Sequence, residues 1–495
     1  MLFNSPLFIF IFLPITVLGF YLIGGRGHHQ IAMSWVVGAS FFFYGWWNAT
    51  YTVLLLVSIL FNYAAGISLT ESRDKKTLIA SVTVNLGLLG YFKYSNFFID
   101  NINVLMGSDI VFDRVILPLA ISFFTFQQIT YLVDSYRGES REYSFLHYCV
   151  FVTFFPQLIA GPIVHHREML PQFVKDDLYR LKSENLLVGA TIFIIGLFKK
   201  VVIADGVAVF ASPVFETAEL GKTLTFVEAW SGALAYTFQL YFDFSGYSDM
   251  AIGIGRMFGI VLPVNFFSPY KATSIIEFWR RWHMTLSRFF RDYLYIPMGG
   301  NIEGTIRRMF NLVVTMLLGG LWHGASWTFV IWGGLHGGCL IINHGFRSLR
   351  RSLGHDLSKT NIFGQGISWI LTFLFVAMAW VIFRAESVGG AQNILQAMMG
   401  LNGFIFPETI NYQLISILFF LLFIVCFVPS TQEFLLAFNP SLNIYGGPVA
   451  TPPTLWIFQY KPSNFVHILM ITMMVMLSIL AMQSAKPIEF LYYNF

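Results

Sequence analysis

Long apolar segments separated by short polar links run the length of the chain. The clearest segments cover residues 7–24, 31–47, 50–70, 77–97, 115–133, 186–203, 227–244, 311–328, 329–345, 364–383, 413–429 and 465–485. About 20 apolar residues are needed for one helix to cross a bilayer core. The pattern therefore predicts an all-α, polytopic membrane helical bundle, and we treat residues 1–495 as a single integral-membrane domain because no link is large enough for a soluble one.

Composition narrows the class of protein further. Hydrophobic residues make up 56% of the 495 positions and charged residues only 11%, whereas about a quarter of a soluble domain is charged. The net charge of +4 comes from short basic clusters between apolar runs, which argues against a nucleic-acid partner and for contact with membrane lipids. Cys149, Cys339 and Cys426 lie in apolar stretches without metal-ligand spacing.

Charge in the links predicts orientation, because Lys and Arg are retained on the cytoplasmic side of a membrane. Arg73, Lys75 and Lys76 cluster after the third segment, whereas Asp100, Asp109 and Asp113 fall in the opposite links. The N-terminus is then extracytoplasmic. Residues 145–164 would break this alternation as a full span, and their Pro and Gly residues favour a re-entrant segment surrounded by protein.

Residues 268–310 are polar enough to lie at the cytoplasmic interface. At 3.6 residues per turn they predict one amphipathic helix with an apolar stripe and a charged stripe. The apolar stripe is Ile275, Trp279, Trp282, Leu286, Phe290 and Tyr293, and the charged one is Glu277, Arg280, Arg281, Arg288, Arg291 and Asp292. Such a helix can simply anchor the protein on anionic lipids. His283 does not fit that role, because it projects toward the apolar stripe.

A second histidine lies within an apolar region. His323 stands in a run of glycines, with Trp322 and Trp327 as flat neighbours. An ionisable group in a membrane segment is rare unless it lines a cavity or has a partner. The alternative is a neutral histidine satisfied by a nearby hydroxyl in a tight helix contact. His336 has a similar glycine-rich setting, and a structural role for it is equally consistent with the sequence.

Two buried histidines can perform acid–base chemistry. A neutral imidazole can take a proton from an attacking hydroxyl and return it to a leaving group, as acyl transfer from a thioester to an alcohol requires. The histidines have no metal-ligand spacing, so no metal site is predicted. Ser245 lacks the preceding glycine of a hydrolase nucleophile elbow. Asp243 and Asp249 are expected to cap helix ends or hold Arg256, and a part in substrate binding remains open.

Four sequence blocks, together with the opening Leu2-Phe3-Asn4-Ser5, resemble the membrane-bound O-acyltransferase family, in its bacterial alginate O-acetyltransferase membrane-subunit branch. The blocks are Phe155-Pro156-Gln157-Leu158-Ile159-Ala160-Gly161-Pro162-Ile163-Val164; Asp243-Phe244-Ser245-Gly246-Tyr247-Ser248-Asp249-Met250-Ala251-Ile252-Gly253; Glu277-Phe278-Trp279-Arg280-Arg281-Trp282-His283 running to Arg291-Asp292-Tyr293-Leu294-Tyr295-Ile296-Pro297; and Gly320-Leu321-Trp322-His323-Gly324. The resemblance implies a bundle with re-entrant and interfacial helices around a central tunnel or funnel. It also implies that His323 is catalytic and that His283 is its companion.

Further expectations concern the substrates, the partners and the remaining site residues. We expect no bound cofactor, and acetyl-CoA or an acyl carrier as a cytoplasmic donor attracted by Arg280, Arg281, Arg288 and Arg291. Candidates for the substrate tunnel are Trp279, Trp282, Trp322, Trp327, Ser245, Asp243 and His336. The resemblance implies a bacterial inner-membrane protein that passes acetyl groups to an extracytoplasmic SGNH/esterase-like acetyltransferase, which modifies an exopolysaccharide.

Several alternatives to this function remain open. An alginate-type acceptor is favoured, with peptidoglycan, cellulose or D-alanyl transfer to a cell-wall polymer as other outcomes of the same chemistry. From a different class of protein, a transporter or channel would use the histidines as proton relays.

Overall fold

The computed structural model describes residues 1–139, 144–356, 361–404, 411–442, 459–484 and 489–491. These residues are arranged mainly as helices. The N-terminal half contains α1 (Leu13–Gly24), α2 (His29–Gly45), α3 (Ala49–Ser72), α4 (Lys75–Met106), α5 (Ile121–Arg137), α6 (Phe145–Thr153), α7 (Phe155–Leu158), α8 (His166–Phe173), α9 (Ser183–Phe198), α10 (Asp205–Glu219) and α11 (Phe226–Met257).

The C-terminal half continues with α12 (Ile275–Trp279), α13 (Met284–Phe290), α14 (Gly304–His323), α15 (Trp327–Ser352), α16 (Ile362–Arg384), α17 (Val388–Met398), α18 (Tyr412–Phe427), α19 (Thr431–Phe434) and α20 (Phe465–Ser484). Segments of π-helix cover Phe8–Phe12, Lys199–Ala204 and Arg291–Tyr295, and 3₁₀ turns cover Asp176–Tyr179, Pro269–Lys271 and Leu436–Phe438. Within the described residues, Ala49–Ser72, Ser183–Glu219, Ile362–Arg384 and Phe465–Ser484 are long and apolar enough to cross a membrane. The chain is a helical membrane protein, as its apolar pattern predicts.

Glycines bring α9 and α11 into very close contact at the centre of the bundle. A Cβ added to Gly246 would lie 2.8 Å from the Gly196 carbonyl oxygen, and one added to Gly253 would lie 2.6 Å from that of Gly189. Only glycine allows two backbones to approach this closely, which is how membrane helices gain packing without a hydrophobic driving force. The pair forms a rigid centre for the elements around it.

Buried ion pairs reinforce the same helix pair. Asp243 Oδ1 lies 2.7 Å from Lys200 Nζ, and Asp249 Oδ2 lies 2.6 Å from Lys199 Nζ. The prediction that these carboxylates cap helix ends or hold Arg256 is therefore wrong. Both carboxylates lie inside α11, and each pairs with a lysine of the π-helical turn that follows α9. Arg256 instead contacts Glu184, at 3.7 Å.

The segment predicted to be re-entrant is a broken helix enclosed by protein. Residues 148–166 are buried throughout, and the chain changes direction between α6 and α7. The Phe155 backbone N–H at this break donates to Ser40 Oγ (3.1 Å), and Gln157 Nε2 donates to the Phe151 carbonyl (2.7 Å). A broken backbone is tolerated at membrane depth because protein groups replace the missing helical hydrogen bonds.

Residues 268–310 do not form the single amphipathic helix that their periodicity predicts. Two short helices, α12 and α13, are separated by a break, and the π-helical turn Arg291–Tyr295 follows them. His283 occupies the break with φ +42°, a left-handed conformation that an α-helix does not contain. The prediction of one continuous helix is wrong, because helical projection assumes an unbroken 100° per residue.

Basic residues from several elements meet on one side of the bundle. The Arg137 guanidinium lies 5.6 Å from the Tyr293 ring centre, and Arg167 lies 3.6 Å from Asp134. Arg73, at the start of the link between α3 and α4, lies against Gly138 at the end of α5. The opposite end of α4 lies beside the start of α15, where Trp327 Nε1 donates to Asn101 Oδ1 (2.9 Å). The bundle therefore has a basic side and, opposite to it, the side that carries the acidic links.

Candidate active site

His323 is the last residue of α14, at the turn of a tight helical hairpin with α15. The sequence places the boundary between the predicted spans 311–328 and 329–345 after residue 328. In the structure the boundary lies earlier, because the helices break at Gly324–Ser326. A Cβ on Gly320 would overlap the Phe329 carbonyl oxygen, so the glycines before His323 allow α15 to pack directly on α14. His323 is buried, and its ring contacts Trp332 (5.3 Å between ring centres) and Phe383 (5.1 Å).

His283 is held by a defined hydrogen bond at the break between α12 and α13. Its Nδ1 lies 3.0 Å from Asn265 Oδ1, which also accepts from Thr285 Oγ1 (3.0 Å) and faces the Thr285 backbone N–H (3.5 Å). Because this amide oxygen only accepts, His283 Nδ1 must carry the proton. The basic lone pair of the His283 imidazole therefore lies on Nε2.

Trp322 brings the two histidines together. Its indole packs at 6.0 Å from the His283 ring and at 4.9 Å from the His323 ring, measured between ring centres. The separation of the two imidazoles is therefore no larger than the sum of these distances. Histidines from two distant sequence blocks thus belong to one site.

A cavity of about 280 Å³ opens next to His323. Its wall is formed by Ile276, Trp279, Arg280, Leu286, Ser287, Phe290, Arg291, Tyr295, Leu312, Thr315, Met316, Gly319, His323, Trp332, Leu340 and His344. From α14, the wall includes residues between Leu312 and His323, a length of about 17 Å at 1.5 Å per residue. The wall is largely apolar, with Arg280 at the end of α12, Arg291 in the π-helical turn and His323 at the C-terminal end of α14.

The four arginines predicted to attract a donor have different surroundings. Arg280 and Arg291 line the cavity, and Arg291 also contacts Asp292 (2.7 Å). Arg281 pairs with Glu277 (2.7 Å). The Arg288 guanidinium makes two hydrogen bonds to the Glu168 carboxylate (2.5 and 2.9 Å). The geometry therefore separates two arginines at the cavity from two arginines that tie neighbouring segments together.

An aromatic cluster beside the cavity includes His336, Trp279 and Trp282. His336 Nδ1 accepts a hydrogen bond from Trp279 Nε1 (3.2 Å), and its ring centre lies 4.7 Å from that of Trp332. Trp282 is buried against Trp380, at 4.9 Å between ring centres. Of these residues, Trp279 reaches the cavity wall. His323 packs against this cluster through the Trp332 ring.

Three other predicted tunnel residues lie outside the cavity wall. Asp243 is bound to Lys200, as described above, and also accepts from the Leu491 backbone N–H (3.0 Å). Ser245 is a buried residue of α11, and 55% of Trp327 is exposed beside Asn101. The structure therefore does not bring these three residues to the cavity.

Lys93 belongs to the site, although the sequence analysis did not select it. It is buried on α4, and its ammonium group donates to the Trp322 carbonyl and to Ser122 Oγ (3.2 Å). The sequence feature that indicates Lys93 is its position as a lysine within the apolar run 77–97, which its length identifies only as a span. An ionisable residue inside a membrane segment is itself an indication of function.

This arrangement is suited to proton transfer in a largely apolar cavity. The His323 imidazole lines this space, and a neutral imidazole can act as a general base on a hydroxyl group. The arginines at the other end can bind an anionic group. The site can therefore hold a long substrate with a charged end and a reactive apolar end.

Comparison with known proteins agrees with this geometry. Residues 36–382 match the model of MBOAT, the membrane-bound O-acyltransferase family. The chain is 46% identical over 433 residues to a peptidoglycan O-acetyltransferase of Helicobacter pylori, covering 81% of this chain and 80% of that protein. It is 42% identical to a probable alginate O-acetylase AlgI of Pseudomonas putida, covering 84% and 83%.

A more distant relative is named for the transfer of a different acyl group, D-alanyl. The teichoic acid D-alanyltransferase of Bacillus subtilis is 28% identical over 280 residues, covering 54% of this chain and 69% of that protein. The family match spans most of the chain and includes both α12–α13 and α14, the elements that carry the two histidines. The chain therefore belongs to the membrane-bound O-acyltransferase family and is a membrane-embedded acyltransferase.

Proposed function

We propose that this acyltransferase moves an acetyl group from a cytoplasmic thioester donor to the extracytoplasmic side, where it serves O-acetylation of a polysaccharide. The observation that carries the proposal is the cavity with Arg280 and Arg291 at one end and His323 at the other. A donor such as acetyl-CoA, or an acyl carrier, has a charged part that arginines bind and a neutral thioester that an apolar cavity accepts.

Orientation follows from the distribution of charge. The basic side of the bundle carries Arg137, Arg167 and Arg291, and we assign it to the cytoplasm by the positive-inside rule. The N-terminus is then extracytoplasmic, in the bacterial inner membrane. His323 lies at the opposite end of α14 from this side, so the acetyl group crosses most of the membrane while the charged carrier stays behind. Moving phosphates through hydrocarbon would be far more costly.

The chemical step uses His323 as a general base. Its imidazole takes the proton of the acceptor hydroxyl, the hydroxyl oxygen attacks the thioester carbonyl carbon, and a C–O bond forms. The C–S bond then breaks, and the departing sulfur receives the proton from the imidazole. His283 lies across Trp322 from His323, and its Nε2 lone pair can accept a hydrogen bond from a second donor group of the bound substrate.

The acceptor chemistry is proposed from the relatives. O-acetyl transfer to an alginate-type exopolysaccharide is supported by the relatives named as alginate O-acetylases. Peptidoglycan is a second candidate, favoured by the 46% identity to the Helicobacter pylori enzyme. In either case the direct acceptor on the outer side would be an SGNH/esterase-like protein that carries the acetyl group to the polymer.

Deletion of the gene in its own organism tests both candidates. Ester-linked acetate is released by mild base from purified exopolysaccharide and, separately, from purified peptidoglycan, and is measured by chromatography. We expect one polymer to lose its acetate and to regain it with the wild-type gene but not with His323→Ala. Unchanged acetate on all cell-surface polymers would contradict the proposal. Consumption of acetyl-CoA or acetyl-carrier protein by the purified protein then identifies the donor, whereas a transporter would consume neither.

A further inference from the structure

Lys93 is a buried lysine within the predicted membrane-spanning run 77–97. Only 8% of the residue is exposed, although a charged ammonium group is costly to bury at membrane depth. The structure shows what compensates this cost. The ammonium group donates to the Trp322 carbonyl and to Ser122 Oγ, so its contacts are with the site rather than with a carboxylate.

The Trp322 carbonyl lies in the last turn of α14. The last four carbonyls of a helix lack partners within that helix, and together they carry its negative dipole end. Lys93 supplies a cation to one of them, and the adjacent Tyr94 hydroxyl donates to the Leu321 carbonyl (2.7 Å). Two consecutive residues of α4 therefore close the helix end that carries His323.

Lys93 also acts on the indole between the histidines. Its Nζ lies 5.6 Å from the centre of the Trp322 ring, within the range of a cation–π interaction. Backbone and side chain of Trp322 are thus held by one ammonium group. Because the Trp322 ring contacts both imidazoles, any movement of Trp322 changes the position of His323 relative to His283.

We propose that Lys93 is a positioning residue for acyl transfer: its positive charge fixes the C-terminal end of α14 and the Trp322 indole, and thereby holds His323 against His283. The inference rests on the proposed function of the two histidines. Lys93 does not line the cavity, so it acts through Trp322 and not on the donor.

The kinetic test compares a neutral variant with a cationic variant at the same position. Lys93→Met should lower kcat by roughly 10- to 100-fold, because the charged contact at the helix end is lost, and should leave KM for the donor within about twofold. Lys93→Arg should recover part of kcat. Tyr94→Phe, which removes the neutral hydrogen bond to Leu321, is the matched control and should change kcat by less than Lys93→Met.

A measurement without substrate separates this inference from the proposed function. Labelling with 5-fluorotryptophan gives fluorine resonances for the 12 tryptophans, and Trp322→Phe identifies the resonance of Trp322. In folded Lys93→Met this resonance should shift or broaden while most others stay in place, and Lys93→Arg should move it back. If Lys93→Met does not fold, Lys93→Gln provides the neutral variant.

The outcomes are distinct. Unchanged kcat and an unchanged Trp322 resonance in a folded neutral variant would overturn the inference. A shifted resonance in a protein that transfers acetyl from no thioester would support the positioning of Trp322 and contradict the proposed function. A loss of kcat equal in Lys93→Met and Lys93→Arg, with no change at Trp322, would show that the charge does not act through the indole.

Discussion

His283 Nδ1 donates its proton to Asn265 Oδ1 at 3.0 Å, and this one bond decides which nitrogen of His283 is basic. The amide oxygen is fixed as an acceptor because the Thr285 hydroxyl and backbone N–H also point at it. Asn265 is 0% exposed, so its amide is shielded from bulk solvent. Asn265 lies outside the four sequence blocks described above, yet it determines which nitrogen of His283, a residue of the third block, carries the proton.

Replacement of Asn265 should therefore reduce activity without removing either histidine. Asn265→Ala leaves His283 free to adopt the other tautomer, and we expect kcat to fall by roughly 10- to 100-fold, within the range of a general acid–base contribution. Asn265→Asp keeps an acceptor oxygen and should retain more activity. Equal loss in the two variants, at equal folded yield, would mean that Asn265 acts through packing rather than through Nδ1. Acetyl transfer by purified protein measures the difference.

His323 should be required for chemistry rather than for folding. His323→Ala removes the ring that faces the cavity, and we expect transfer to fall by about 10²- to 10⁴-fold, as for loss of a general base. The aromatic rings around it stay packed on one another, so the detergent-extracted yield and the thermal midpoint should remain near those of the wild type. His336→Ala is the comparison for a histidine in the aromatic cluster. Aggregation of His323→Ala would instead assign His323 a structural role.

The two pairs of arginines should give different defects. Arg280→Ala with Arg291→Ala removes the cations at the cavity, so KM for the donor should rise and its dependence on salt should flatten. Arg288→Ala leaves the half-buried Glu168 without its bidentate partner, and should lower the free energy of unfolding by about 1–3 kcal/mol. Donor titrations at two salt concentrations and thermal unfolding distinguish the effects. If the double variant keeps the wild-type KM, Arg280 and Arg291 contact lipid instead of the donor.

Asp74 caps the N-terminus of α4, and the stability of this cap depends on pH. Its carboxylate accepts from the Thr77 backbone N–H (2.8 Å), and this hydrogen bond lowers the pKa of Asp74. Because the folded state favours the ionised form, the stabilisation is present at neutral pH and is lost as the pH falls through the lowered pKa. Amide hydrogen exchange in the first turn of α4 should therefore increase at acid pH relative to the exchange of unstructured peptides. Asp74→Asn keeps a capping oxygen without the charge and should remove this pH dependence.

The sequence predicted what depends on composition and spacing, and missed what depends on distant partners. Apolar length predicted the bundle, and the glycines around His323 indicated close packing that the α14–α15 hairpin shows. The prediction of one continuous helix over this region was wrong because periodicity contains no information about the left-handed backbone at His283. The partners of Asp243 and Lys93 were missed because Lys200 and Trp322 lie on other helices, and single-sequence spacing cannot pair residues so far apart.

The hairpin glycines provide the most direct test that helix packing positions His323. A Cβ at Gly320 would overlap the Phe329 carbonyl oxygen, so Gly320→Ala must push α15 away from α14 within one turn of His323. We expect kcat to fall by at least tenfold and the thermal midpoint to decrease. Gly338 lies on α15 with no atom within 4 Å of an added Cβ, so Gly338→Ala is the matched control. It should keep full activity and gain up to about 1 kcal/mol, because alanine favours helix over glycine. Equal activity in the two variants would show that the catalytic geometry tolerates movement of the hairpin, and that packing at Gly320 serves stability alone.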